Sequence, residues 1–91
     1  MKAEMYNHQQ WITETDPSVL FEMFNGLLLN CGFTVLGFME HHFDPQGWTG
    51  LWLLAESHFA LHTFPEEGKT YLELSSCNEM KQIMFVDGLN R

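Results

Sequence analysis

The chain has 91 residues, enough for one small domain that buries only about 60 to 65 percent of the surface its unfolded form exposes. Hydrophobic residues make up 45% and aromatic residues 14%, which excludes a disordered chain and leaves spare apolar surface that a second copy is expected to cover as a homodimer. Four basic against twelve acidic residues give a net charge of −8, which argues against nucleic acid as a partner and favours a cationic ligand.

In chain order, the N-terminal MKAEMYNHQQ has no apolar core for export, and Gln9 to Thr15 reads as a first strand around Trp11 and Ile12. Asp16 followed by Pro17 reads as a helix cap with proline at the first helical position. Leu20, Met23, Phe24, Leu27 and Cys31 then recur at helical spacing, and Gly32 is the expected stop. Phe33 to Phe43 is rich in strand-favouring residues. Asp44-Pro45-Gln46-Gly47 is a turn, Trp48 to Ala55 and His58 to Phe64 are strands, Pro65-Glu66-Glu67-Gly68 turns again, and Tyr71 to Cys77 returns. The tail, Lys81 to Asp87, carries the run Ile83-Met84-Phe85-Val86 and reads as an edge strand rather than a helix. These elements make residues 1–91 one α+β domain, a two-layer sandwich of one antiparallel sheet with one main helix on one face. No apolar run is long enough for a membrane span. With Cys31 and Cys77 expected as free thiols, a cytoplasmic protein follows.

The stretch Leu51 to Phe64 contains neither Gly nor Pro, yet it exceeds the usual length of one strand and must bend. Its only polar cluster is Glu56, Ser57 and His58, residues poorly suited to turns, so the Glu56–Ser57 peptide is a candidate for backbone strain. Register adds a geometric point. If Phe64 faces Lys69 or Thr70 across the Pro65–Gly68 loop, antiparallel pairing sets Cys77 opposite Glu56 or Ser57. His62 falls on the other sheet face from Ser57 in a regular strand, so a bulge or bend is needed to bring them together. Taken singly, Ser57 is an ordinary strand serine, Cys77 a small hydrophobe and Glu66 a solvated turn residue. A metal site is not expected, because four strand residues hold His58 and His62 about 13 Å apart, and His41 and His42 point to opposite faces.

The segment LLAESHFALHTFPEEG, with a cysteine at position 77, resembles the prokaryotic S-adenosylmethionine decarboxylase proenzymes. The shared pattern is a Glu-Ser-His triplet, a histidine five residues after the serine, an aromatic-Pro-Glu turn and a later cysteine, matched here by Ser57, His62, Phe64-Pro65-Glu66 and Cys77. The resemblance implies self-cleavage between Glu56 and Ser57 into a β chain, 1–56, and an α chain, 57–91. The α chain then begins with a pyruvoyl group derived from Ser57. That cofactor forms a Schiff base with the substrate amine and draws off the electrons left by carbon dioxide. By the same resemblance His62 assists the elimination step, Cys77 protonates the product, Phe43 and Phe64 hold an adenine ring, and Glu66 holds ribose hydroxyls. Thr49 stands where the family has a serine. The implied substrate is S-adenosylmethionine, for spermidine synthesis. Ornithine or arginine on the same cofactor, and an unprocessed relative that binds without catalysis, remain alternatives. The chain is short for the family, and a second helix between Cys77 and the tail is expected to be missing.

Overall fold

The elements run β1 (Tyr6–Ile12), α1 (Pro17–Asn30), β2 (Val35–His42), β3 (Trp48–Leu54), β4 (Ser57–Phe64), β5 (Lys69–Ser76) and α2 (Glu79–Leu89) in a computed structural model that describes residues 2–91. The strands form one antiparallel sheet in the order β1-β5-β4-β3-β2. Both helices pack on one face of it, so the expected two-layer α+β sandwich is what the chain forms.

Helix α1 starts as the sequence indicates. The Asp16 carboxylate accepts from the Ser18 and Val19 N–H groups at 2.8 and 3.4 Å, and Pro17 needs no donor partner at the first helical position. Gly32 follows the helix at φ 89, a left-handed conformation that glycine adopts without a Cβ clash. Leu20, Phe24 and Leu28 are spaced to point one way and are fully buried. They meet the helix-side residues of β3, Trp48, Trp52 and Leu54, which alternate with Thr49, Leu51 and Leu53 on the opposite, open face. Phe24 lies 5.1 Å from Phe59 and 6.1 Å from Phe85, centroid to centroid, so one aromatic cluster ties α1, β4 and α2 together. Each such ring contributes about 1.5–3 kcal/mol through burial.

Two sequence expectations are corrected. The tail is not an edge strand but the helix α2, and the second helix is therefore present. Asn78 caps it by accepting from the Lys81 N–H at 2.9 Å, and Glu79 sits in the first turn. The misreading has a physical source. Of the apolar tail residues only Phe85 is fully buried, while Met80, Ile83 and Met84 stay exposed, so no clean helical stripe marks the segment. The first strand also lies earlier than Gln9 to Thr15. Beyond Ile12 the chain turns, with the Thr15 and Asp16 N–H groups donating to the Glu14 carboxylate and the Thr70 hydroxyl donating to the Glu14 carbonyl.

Strands β3 and β4 are joined by Ala55 and Glu56 alone, since Leu54 pairs with Ser57. Glu56 takes φ 54, the only positive φ at a non-glycine residue among those described. The left-handed region costs a residue with a Cβ about 1–2 kcal/mol, and tight turns usually place Gly or Asn there. In a Ser57→Ala chain, Glu56→Gly is expected to raise stability by about 0.5–1 kcal/mol. Urea denaturation checks this, and an unchanged or lowered midpoint would mean that the turn holds no strain.

Candidate active site

The strained turn places its next residue in a defined setting. Ser57 opens β4 on the helix-side face and is 7% exposed. The β4–β5 ladder runs without a break from Phe64 opposite Lys69 to His58 opposite Ser75. Continued one and two steps, that register leads to the Glu56–Ser57 turn and to Cys77. The Cys77 N–H donates to Ser57 Oγ at 3.3 Å, and the Cys77 thiol lies 4.0 Å from Ser57 Oγ and 3.9 Å from Glu56 Oε2. The structure thus brings Glu56, Ser57 and Cys77 together, as the register implies. The second thiol differs from Cys77 in setting. Cys31 is buried under the helix layer, and burial pushes its pKa up, whereas Cys77 is exposed.

His62 is not brought to Ser57. The expected bulge or bend in β4 is absent, because pairing with β3 and β5 is regular through Ser57 to His62, and the irregularity in the sheet lies in β2 between Val35 and Gly37. His62 therefore stays on the open face. Five residues of strand put it about 16 Å from Ser57 along the sheet, far beyond direct proton transfer.

A second cluster forms around His62 at the other end of β4. Phe43, Thr49, His62, Phe64 and Glu66 line a cavity of about 330 Å³ under the Asp44–Gly47 turn. The Thr49 hydroxyl and His62 Nδ1 are 2.9 Å apart. The Thr63 hydroxyl, buried between strands, accepts from the Trp48 N–H at 2.8 Å and fixes the start of β3 against the end of β4. Gly47 closes the turn at φ 108, and its carbonyl accepts from the Phe43 N–H at 2.8 Å, which holds Phe43 over the cavity. Pro65–Glu67 forms one 3₁₀ turn that presents Glu66 at the rim.

Of the residues singled out from the sequence, then, Glu56, Ser57 and Cys77 make one group and Phe43, His62, Phe64 and Glu66 another. Thr49 belongs with His62, a partnership that only the β3–β4 register reveals, since Thr49 and His62 are directly opposed across the strands. The same row continues to Tyr71 on β5 and Trp11 on β1, which the sequence placed on strands without a role.

Comparison with known proteins identifies the family. The family model described as S-adenosylmethionine decarboxylase matches residues 2–91. The chain is similar to the S-adenosylmethionine decarboxylase proenzyme of Prochlorococcus marinus, 48% identical over 48 residues, covering 53% of this chain and 38% of that protein. It is 34% identical over 76 residues to the proenzyme of Methanococcus vannielii, covering 84% of this chain and 62% of the relative. The matched region thus spans less than two thirds of each of these relatives. In fold it resembles the crystal structure of the adenosylmethionine decarboxylase from Aquifex aeolicus, with a TM-score of 0.79 and 23% identity over 96% of this chain and 78% of that one. With the family model matched across all the described residues, the chain belongs to the S-adenosylmethionine decarboxylase family.

Proposed function

We propose that the chain is a precursor that cuts itself between Glu56 and Ser57 and then decarboxylates S-adenosylmethionine, a step that supplies aminopropyl groups for polyamine synthesis. The observation that carries this reading is the left-handed Glu56 backbone at the scissile bond, with the Ser57 hydroxyl and the Cys77 thiol beside it. Strain at that bond raises the precursor's energy relative to the product of cleavage. Ser57 Oγ attacks the Glu56 carbonyl carbon, the amide C–N bond breaks, and an ester forms with a free amine on residue 57. Loss of the residue 57 α-proton expels the Glu56 carboxylate. Water then replaces the nitrogen, which leaves as ammonia, so residues 1–56 end in a carboxylate and residues 57–91 begin with a ketone.

The residues at the turn fit such a group. Ser57 supplies its carbon skeleton, and the Cys77 N–H and thiol lie beside its hydroxyl at 3.3 and 4.0 Å. Once formed, the pyruvoyl group supplies the electron sink for carbon dioxide loss. The remaining work falls to side chains. His62 takes a proton in the elimination step, Cys77 delivers one to the product carbon, Phe43 and Phe64 hold the adenine, and Glu66 accepts from ribose hydroxyls. Two aromatic rings and a carboxylate around one cavity suit a nucleoside better than the bare side chain of ornithine or arginine. The net charge of −8 suits the sulfonium cation. Two free cysteines fit a reducing compartment, the cytoplasm, and no described helix is long and apolar enough to cross a membrane.

The separation of the two clusters supports a homodimer with composite sites. One chain does not bring His62 to its own Ser57, but a copy laid antiparallel over the open face sets its His62 above the end of the sheet at which Ser57 begins β4. That face offers a cover for such a copy, with Met39, Leu51 and Leu53 exposed around an apolar cavity of about 450 Å³.

Intact mass tests the reading directly. Purified chain is expected as two fragments, the smaller with a blocked residue 57, and Ser57→Ala is expected to remain at the full 10.6 kDa. One uncut species from the unaltered chain would sink the proposal. Carbon dioxide release is expected from S-adenosylmethionine and not from ornithine or arginine. Mixing uncut Ser57→Ala and His62→Ala chains tests the composite site. Cleavage is expected to appear in the mixture and only in the His62→Ala chain, whereas silence in the mixture would place both groups in one protomer. Iodoacetamide at neutral pH is expected to alkylate Cys77 and spare Cys31, read by peptide mass. The alkylated, already processed protein should then release product at a rate lower by at least about tenfold.

A further inference from the structure

We propose that Tyr71, braced by Trp11, is a positioning residue that fixes the plane of the His62 ring. The inference rests on the reading above for its role in cleavage, but its structural claim is separate. Strand pairing lines up Trp11, Tyr71, His62, Thr49 and His41 as one row across β1, β5, β4, β3 and β2, all on the open face. Within the row, Thr49 holds His62 at one point, by the 2.9 Å contact between its hydroxyl and Nδ1. One hydrogen bond leaves an imidazole free to swing about that contact. The Tyr71 ring removes this freedom from the other side, lying nearly parallel to His62, with centroids 6.3 Å apart and ring planes inclined by 21°.

Tyr71 is in turn held. Trp11 packs on it at 5.3 Å and 60°, and Trp11 itself is covered by the Lys69 ammonium at 4.3 Å and touches Phe64 at 5.8 Å. On the far side of Thr49 no ring does this for His62, because His41 is engaged edge-on with Phe43 at 4.6 Å. Among the described residues, Tyr71 is therefore the one ring paired with His62. With Nδ1 taken by Thr49, Nε2 is the nitrogen that can move a proton, and the Tyr71 ring determines where it points. The same Trp11 also backs Phe64, so one β1 side chain steadies both the imidazole and a ring of the cavity.

Imidazole nitrogen NMR on full-length Ser57→Ala chain tests the claim without any need for cleavage. His62 is expected to show one tautomer. In Ser57→Ala chain with Tyr71→Ala, or with Tyr71→Leu if the alanine chain does not fold, the His62 signals are expected to shift toward tautomer averaging. Tyr71→Phe is expected to restore the original spectrum. In the cleavable chain, Tyr71→Ala is expected to slow cleavage by about tenfold or more while Tyr71→Phe cleaves at nearly the native rate. An unchanged His62 spectrum on loss of the ring, or failure of phenylalanine to restore it, would overturn the inference. If no chain cleaves at all, the functional reading falls and the spectrum alone decides this one.

Discussion

The unbroken antiparallel register between β4 and β5 is the constraint on which both clusters depend. Because pairing is regular from Phe64 back to His58, the turn at Glu56 and the exit of β5 at Cys77 arrive at the same end of the sheet, and His62 and Tyr71 arrive side by side at the other. A slip of one residue would send Ser57 to the open face and His62 into the core. The core opposes that slip. Phe59 and Leu61 on β4, and Leu72 and Leu74 on β5, are fully buried, so any shift trades them for polar neighbours.

The sheet divides labour between its faces. The helix side is a dry core in which Phe24, Phe59 and Phe85 touch, and it is there that Ser57 begins its strand. The open side carries aromatic and imidazole rings that no element of the same chain covers. The two clusters sit at the ends of strands and in turns, where backbone is accessible, while the strands between them act as rulers of fixed length. The outer strands matter for this too. β1, remote from Ser57 in sequence, presents Trp11 to rings on two different elements.

Much of this was legible in the residues. The Asp16-Pro17 start, the Gly32 stop and the turns at Asp44–Gly47 and Pro65–Gly68 all follow local rules that do not depend on distant contacts. The approach of Cys77 to Glu56 and Ser57 was legible for a related reason, since a short loop fixes a hairpin's register and counting does the rest. What was not legible involved longer range. The helix α2 hides behind a strand-like run because its packing uses one deeply buried side chain, Phe85, and its docking rests on contacts such as Gln10 with Asn90 at 2.9 Å. The row through Trp11, Tyr71, His62 and Thr49 needs two further strand pairings at once, one of which joins the first strand to the last, and no local signal announces that.

The position of the turn between β3 and β4 has a consequence for how the molecule is assembled. Scission there would assign β1, α1, β2 and β3 to one polypeptide and β4, β5 and α2 to the other, yet the sheet order interleaves them, because β1 lies against β5 while β3 lies against β4. The two pieces would clasp each other along both sides of the β4–β5 pair and through a shared core, so neither holds a complete hydrophobic layer of its own. Unfolding of the intact precursor is a first-order event, whereas reassembly after the cut becomes second order and depends on dilution. Maturation would thereby turn folding into a one-way passage, with the native pairing laid down while the strands are still tethered.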